Sequence, residues 1–192
     1  MTTTTKLITY EDSLTMPENK LEEIVDGESR IMPPPTPEHW NLLEELEDVL
    51  KSQLLRRDYK ISSGHVGLGI TRLPILTYRI PDIAVFAMTT LGKERVEKKK
   101  GDIYVWTVPE LVAECLSPSN RKGSTEKLRQ NYESIGVPEV WFIDPQSQTL
   151  TIHILDGGCL VAQPSVREGI VSPARLPQVS VNVDELWKAF DF

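Results

Sequence analysis

Leu111-Val112-Ala113-Glu114-Cys115-Leu116-Ser117-Pro118 reads as a buried β-strand that carries one carboxylate. Side chains alternate faces along a strand, so Glu114 shares a face with Val112 and Leu116, while Leu111, Ala113 and Cys115 take the other. An ionised Glu in apolar surroundings is costly unless a cation or several donors face it. Upstream, Arg79-Ile80-Pro81-Asp82-Ile83-Ala84-Val85-Phe86 presents a second acid in the same manner. Each acid alone reads most simply as the solvent-exposed end of a strand. The pair reads differently. Strand-borne carboxylates that meet in space repel, and a shared divalent cation is the simplest way to keep both ionised.

Downstream of this strand, a helix is expected over about Ser124 to Ile135, with Leu128, Tyr132 and Ile135 on one face. Gly136-Val137-Pro138 stops it, and Glu139-Val140-Trp141-Phe142-Ile143-Asp144 is apolar enough for a strand buried on both faces. Strand, helix and strand at this spacing suggest a right-handed parallel crossover. Leu150, Ile152 and Ile154 alternate into a further strand, which Asp156-Gly157-Gly158 turns into Cys159-Leu160-Val161. Val183, Leu186, Trp187 and Phe190 stand at the spacing of a short docking helix.

Upstream, Thr36-Pro37 supplies a capping hydroxyl and a first-turn proline. The stripe Leu42, Leu43, Leu46, Val49, Leu50 then predicts an amphipathic helix, with Glu44, Glu45, Glu47 and Asp48 off the stripe. Before it, residues 14–31 read as a short helix or turn and then a hairpin bent at Asp26-Gly27, joined to the helix by the stiff Pro33-Pro34-Pro35. Tyr59 to Phe86 is strand-like, with Gly64, Gly67 and Gly69 marking turns or bulges and a hairpin loop near Leu73-Pro74. Met88 to Pro109 reads as a long polar loop. The fold class is α/β: a mixed sheet with one long helix before it and one crossover helix within it.

With 192 residues, the chain fits one domain, residues 14–192, preceded by an N-terminal arm over 1–13. Its apolar runs are only strand-length, so none spans a membrane, and Met1 to Lys6 lacks the apolar core of a signal peptide. Cys115 and Cys159 lie in strand-like contexts without metal-ligand spacing; buried free thiols in a reducing cytoplasm are expected, with a disulfide as the alternative. A net charge of −7 argues against broad electrostatic adhesion to nucleic acid. A local basic rim could still come from Lys93 to Lys100 and from Arg121-Lys122, although each run alone reads as a solvated loop.

Five stretches then stand in order: Glu23-Ile24-Val25-Asp26-Gly27-Glu28, Pro35-Thr36-Pro37-Glu38-His39, Pro81-Asp82-Ile83, Pro109 through Ser119, and Gly136 through Pro145, followed by Leu176-Pro177-Gln178 to Leu186. Together, from about residue 14 to 188, they resemble the large bacterial Uma family of the PD-(D/E)XK nuclease superfamily. The resemblance implies a restriction-endonuclease-like mixed sheet flanked by a long N-terminal helix and a crossover helix, with extra β-hairpins. It implies that Asp82 and Glu114 meet at the sheet edge and hold Mg2+ (or Mn2+), with the backbone carbonyl of Cys115 as a third ligand. The implied reaction is metal-assisted hydrolysis of DNA phosphodiester bonds. Cutting both strands of a duplex is simplest with a homodimer. The alternatives are a catalytically silent module that binds nucleic acid or protein, and a metal-dependent hydrolase of a small phosphoester.

One position departs from the superfamily pattern. The lysine expected two residues after the Glu is Leu116, which shares the Glu114 face but cannot donate. The resemblance moves that role to the following helix, where Lys127, expected in the first turn, is the first candidate and Lys122 its competitor. His39 and Glu23 form a second tier: His39 to reach a phosphate or orient a ligand, Glu23 to approach the metal as a third acid. Asp26 reads as a turn residue, and Tyr132 as core packing.

Overall fold

The structure, a computed structural model, describes residues 6–16, 22–97 (backbone only from 93), 104–116 and 122–190 (backbone only at 122). The basic side chains expected at Lys93 to Lys100 and at Arg121-Lys122 fall outside the described part.

The long helix forms where its capping signals stand. Thr36 caps α2 (Pro37–Gln53) by accepting from the His39 amide, and Leu42, Leu46 and Leu50 are fully buried along its inner stripe. Each such leucine contributes about 2 kcal/mol by leaving water. They pack on a six-stranded sheet built from β3 (Tyr59–Ser63), β6 (Ile83–Ala87), β7 (Leu111–Cys115), β8 (Glu139–Asp144), β9 (Thr149–Asp156) and β10 (Cys159–Ala162), in the order β10-β9-β8-β7-β6-β3. Only β7 and β8 pair in parallel, and α4 (Lys122–Ser134) crosses between them. β8 is an internal strand, as its two apolar faces demand.

The alternation of β7 separates two cores. Leu111, Ala113 and Cys115 join Trp141 and Ile143 under α2 and under α5 (Val183–Phe190), whose Val183, Leu186 and Trp187 are buried. Val112 joins Ala84, Phe86, Val140 and Phe142 beneath Tyr132 and Leu128 of α4. The fold is thus three layers, helices on both faces of a mixed sheet. Among the described residues no helix is long and apolar enough to cross a membrane.

A second sheet carries the N-terminal part. β1 (Glu22–Val25) and β2 (Glu28–Ile31) form the expected hairpin, with Asp26 at φ 52° and Gly27 at φ 78° in its two-residue turn. β4 (Leu68–Thr71) and β5 (Thr77–Arg79) form another, giving the order β2-β1-β5-β4. Residues 6–13 dock on it. Thr9 caps the short α1 (Tyr10–Ser13), Tyr10 is buried, and Ile8 accepts from the Leu76 amide.

Residues 14–16 form a turn where a short helix or turn is expected, and a short helix, Tyr10–Ser13, stands just before it because the Thr9–Asp12 capping box starts it there. Two expectations change. The segment expected as one loop over 88–109 opens with α3 (Met88–Glu97), anchored through Leu91. That segment later buries Tyr104 and bridges Val105 to Leu68, because its last part, Tyr104 to Val108, is apolar and not polar like the stretch before it. Both cysteines are free, but Cys159 is exposed rather than buried, since β10 is an edge strand with an open outer face.

Candidate active site

In the β6–β7 ladder Ile83 stands opposite Ala113 and Ala84 opposite Val112. One residue further on, the register sets Asp82 opposite Glu114, with both side chains on the face that carries Ala84 and Val112. The pair therefore lies at the end of two central strands, flanked by β3 and β8, and not on an edge strand. Asp82 Oδ2 accepts from the Cys115 amide at 2.8 Å, which fixes the carboxylate across the ladder. His39, from the first turn of α2, sets Nε2 at 3.5 Å from the same oxygen.

Glu114 is buried. Burial first, and the Asp82 charge second, push its carboxyl well above the usual carboxylate range; the Tyr132 hydroxyl and Arg79 act the other way. Tyr132 donates its phenolic hydrogen to Glu114 Oε1. Its own ionisation is driven far upward by burial and by Glu114, so the phenol is a neutral donor. The Cys115 thiol is likewise raised by burial, then by Asp82 and Glu114, which disfavours a thiolate there.

Behind this pair lies a buried brace that was not expected. Arg79 Nη1 meets Glu23 Oε2 at 2.9 Å, Arg79 Nε donates to Asn131 Oδ1 at 2.8 Å, and the Ile80 amide donates to Glu23 Oε1 at 2.8 Å. Glu23 is thus within electrostatic reach of Glu114, yet both its oxygens are already taken. The available signal was an arginine at the end of an apolar strand, three residues before Asp82. Asn131 and the Tyr132 hydroxyl gave no such signal, because both sit on what reads as an ordinary amphipathic helix.

Lys127 stands later in its helix than expected. α4 begins at Lys122, so Lys127 is in its second turn and the helix-dipole argument for it lapses. Its ammonium pairs with Asp26 Oδ2 at 2.9 Å, on the β1–β2 turn. Among the described residues, the buried cation beside the acids is Arg79. The Lys122 side chain lies outside the described residues.

Among the described residues no three His, Cys, Asp or Glu side chains come together as a ready-made metal cage. Two carboxylates on neighbouring strand ends, one of them partly open to solvent, nevertheless fit a small hard cation, which binds through one or two carboxylates and keeps several waters.

A family model named Uma2, described as "Putative restriction endonuclease", matches residues 9–184. The chain belongs to the Uma2 family. No curated protein matches it in sequence. In structure it is similar to a protein from Anabaena variabilis described as "a putative nuclease belonging to DUF820", with a TM-score of 0.75 at 20% identity, over 95% of this chain and 99% of that one. At that identity the likeness speaks for the fold, the restriction-endonuclease-like α/β arrangement.

Proposed function

We propose that this protein is a metal-dependent endonuclease that hydrolyses DNA phosphodiester bonds, with Mg2+ or Mn2+ held by Asp82, Glu114 and the Cys115 carbonyl. The observation that carries the reading is a buried Glu114 whose ionised form is opposed by burial and by Asp82, a state that one divalent cation would relieve. When bound, such an ion supplies Lewis acidity toward a phosphodiester and lowers the pKa of a coordinated water. The protein's own groups hold the rest in order. Tyr132 orients Glu114, the Cys115 amide and His39 orient Asp82, and the Glu23–Arg79–Asn131 brace ties β1, β5 and α4 behind them. Lys127 is the proposed group for positioning the attacking water or the phosphate, with Lys122 the other candidate.

Titration of Mn2+ into the purified protein by calorimetry, with nicking of supercoiled plasmid DNA, tests the reading. Wild type is expected to take up metal and to nick; Asp82→Ala is expected to lose both. A wild type that takes up no metal sinks the hydrolytic reading. Leu116 in the lysine position and the engagement of Lys127 by Asp26 favour a second reading, a silent nuclease-fold module. That module would bind DNA without metal and leave the plasmid intact. We place the activity in the cytoplasm and assign it to a homodimer, since two one-site copies cut both strands; light scattering at micromolar concentration that reports a monomer counts against the dimer.

A further inference from the structure

The β2-β1-β5-β4 sheet ends on one side in β2, whose residues, Glu28 to Ile31, are all exposed. Two other sheet edges are closed. On β10 the Leu160 amide donates to Glu133 Oε2 at 2.6 Å, and the Leu160 carbonyl accepts from Arg129 at 3.4 Å. On β4 the Gly69 amide donates to the Val105 carbonyl at 2.8 Å, and the Val105 amide donates to the Gly67 carbonyl at 2.8 Å. Such closure keeps an edge from pairing with another chain. Among the described residues nothing closes β2 in this way.

The hairpin decides which groups β2 turns outward. Val25 and Glu28 flank the two-residue turn and form its hydrogen-bonded pair, so Ile24 and Ser29 are a non-bonded pair. The Ser29 amide and carbonyl therefore point away from β1, at the free edge. Glu28 and Arg30 stand on the face that carries Glu23 and Arg79, while Ser29 and Ile31 share the other face with Ile24 and Tyr78. Within one copy Glu28 and Arg30 are 3.9 Å apart and more than half exposed, so both are free to take another partner.

An added antiparallel strand has to bond to Ser29, which limits the registers open to a second copy of β2. With Ser29 opposite the partner's Ser29, the two exchange both hydrogen bonds, and Glu28 faces the partner's Arg30 on each side of the axis. The neighbouring bonded registers set Arg30 against Arg30 or Glu28 against Glu28, like charges directly opposite. The complementary register also brings Ile31 alongside the partner's Gly27. Leu7 lies against that glycine, its Cβ only 2.9 Å from where a Cβ on residue 27 would stand. Ile31 is 75% exposed and Leu7 41%, so the pairing covers an open apolar side chain of each copy with one of the other. Antiparallel strands related in this way have their two-fold axis perpendicular to the sheet. Both copies therefore keep the Glu23–Arg79 face, which backs Glu114, on the same side.

We propose that β2 is the homodimer interface of this protein: a second copy adds its β2 antiparallel across a two-fold axis at Ser29, with Glu28 paired to the partner's Arg30 and Ile31 set against the partner's Leu7. The inference rests on the homodimer assignment above and needs neither metal nor cleavage, so it can fail while the metal site stands.

Sedimentation equilibrium at micromolar concentration tests it. Wild type is expected as a dimer. Arg30→Glu and Glu28→Arg each set like charges opposite one another twice, and each is expected to weaken association about tenfold or more. Their unfolding midpoints should stay near wild type, because both side chains are exposed. Mixed in equal amounts, the two variants are complementary again, and a heterodimer of near-wild-type affinity is expected. Single variants that dimerise like wild type overturn the interface and leave the dimer to another surface. Weakened variants that do not pair when mixed also overturn it. A monomeric wild type overturns the interface and the dimer together, and Mn2+ uptake then judges the hydrolytic reading by itself.

Discussion

Tyr132 reaches from the crossover helix to donate its hydroxyl to Glu114 on the strand that the helix follows, so one contact links the helix packing to the candidate metal ligand. The ring is fully buried among Val112, Val137 and Phe142, and the hydroxyl is its only polar atom. Tyr132→Phe keeps nearly all of this packing and removes one donor to the carboxylate. The expected change in folding stability is about 1 kcal/mol in either direction. Without that donor Glu114 ionises less readily, and Mn2+ affinity by calorimetry should fall several-fold. An unchanged affinity would show that Glu114 does not ligate the ion.

Arg79 and Glu23 form a buried pair, with side chains 6% and 11% exposed. Removing one partner of such a pair strands the other. Arg79→Met should destabilise by about 3–5 kcal/mol in urea unfolding, and Arg79→Met with Glu23→Leu should recover much of that loss. Additive losses in the double variant would mean that the two side chains do not depend on each other.

Glu139 gives a pH signature remote from the carboxylate pair. Burial raises its carboxyl above the usual 4.5, against hydrogen bonds from the Trp141 indole and the Ala174 amide. The folded state therefore holds this proton more tightly than the unfolded chain does. The resulting stability is complete below the unfolded value and is lost as pH rises through the folded one. Glu139→Gln cannot titrate, and it gives up one of the two accepted hydrogen bonds at every pH. Urea unfolding between pH 4 and 7 should show the advantage of wild type over this variant shrinking as pH rises. A constant difference would refute the raised carboxyl.

What could be read from the sequence was what local spacing controls. Thr36-Pro37 and the 42, 46, 50 leucines set α2, and the alternation around Glu114 separated the two cores correctly. The apolar run at 140–143 set the internal strand. The brace was not legible, because Glu23 and Arg79 stand 56 residues apart and meet only when β1 and β5 join one sheet. Tyr132 was half legible: helical periodicity shows its buried ring but not the acid at the end of its hydroxyl. Tyr104 and Trp106 stand in the apolar run Ile103 to Val108, a legible signal that the charged stretch 93–102 before it outweighs when 88–109 is read as one loop. Their packing uses Gly67 and Gly69, two glycines that leave room for rings from a distant segment.

The last test concerns Lys127, whose ammonium is held by Asp26 on a turn and not by the carboxylate pair. Both partners are substantially exposed, at 39% and 56% of the side chain, so the pair adds little to folding, under about 1 kcal/mol. A lysine that serves only this contact would be dispensable. One that turns toward the phosphate during hydrolysis would have to leave Asp26 first, so the two roles respond differently to removal of the acid. Asp26→Asn should leave cleavage intact or faster, because the ammonium is released. Lys127→Ala should cut plasmid nicking by about 10²-fold or more, with Mn2+ affinity and the unfolding midpoint near wild type. If Lys127→Ala nicks like wild type, the lysine is a surface ion pair, and the missing cation of Leu116 must be sought at Lys122 or in Arg79.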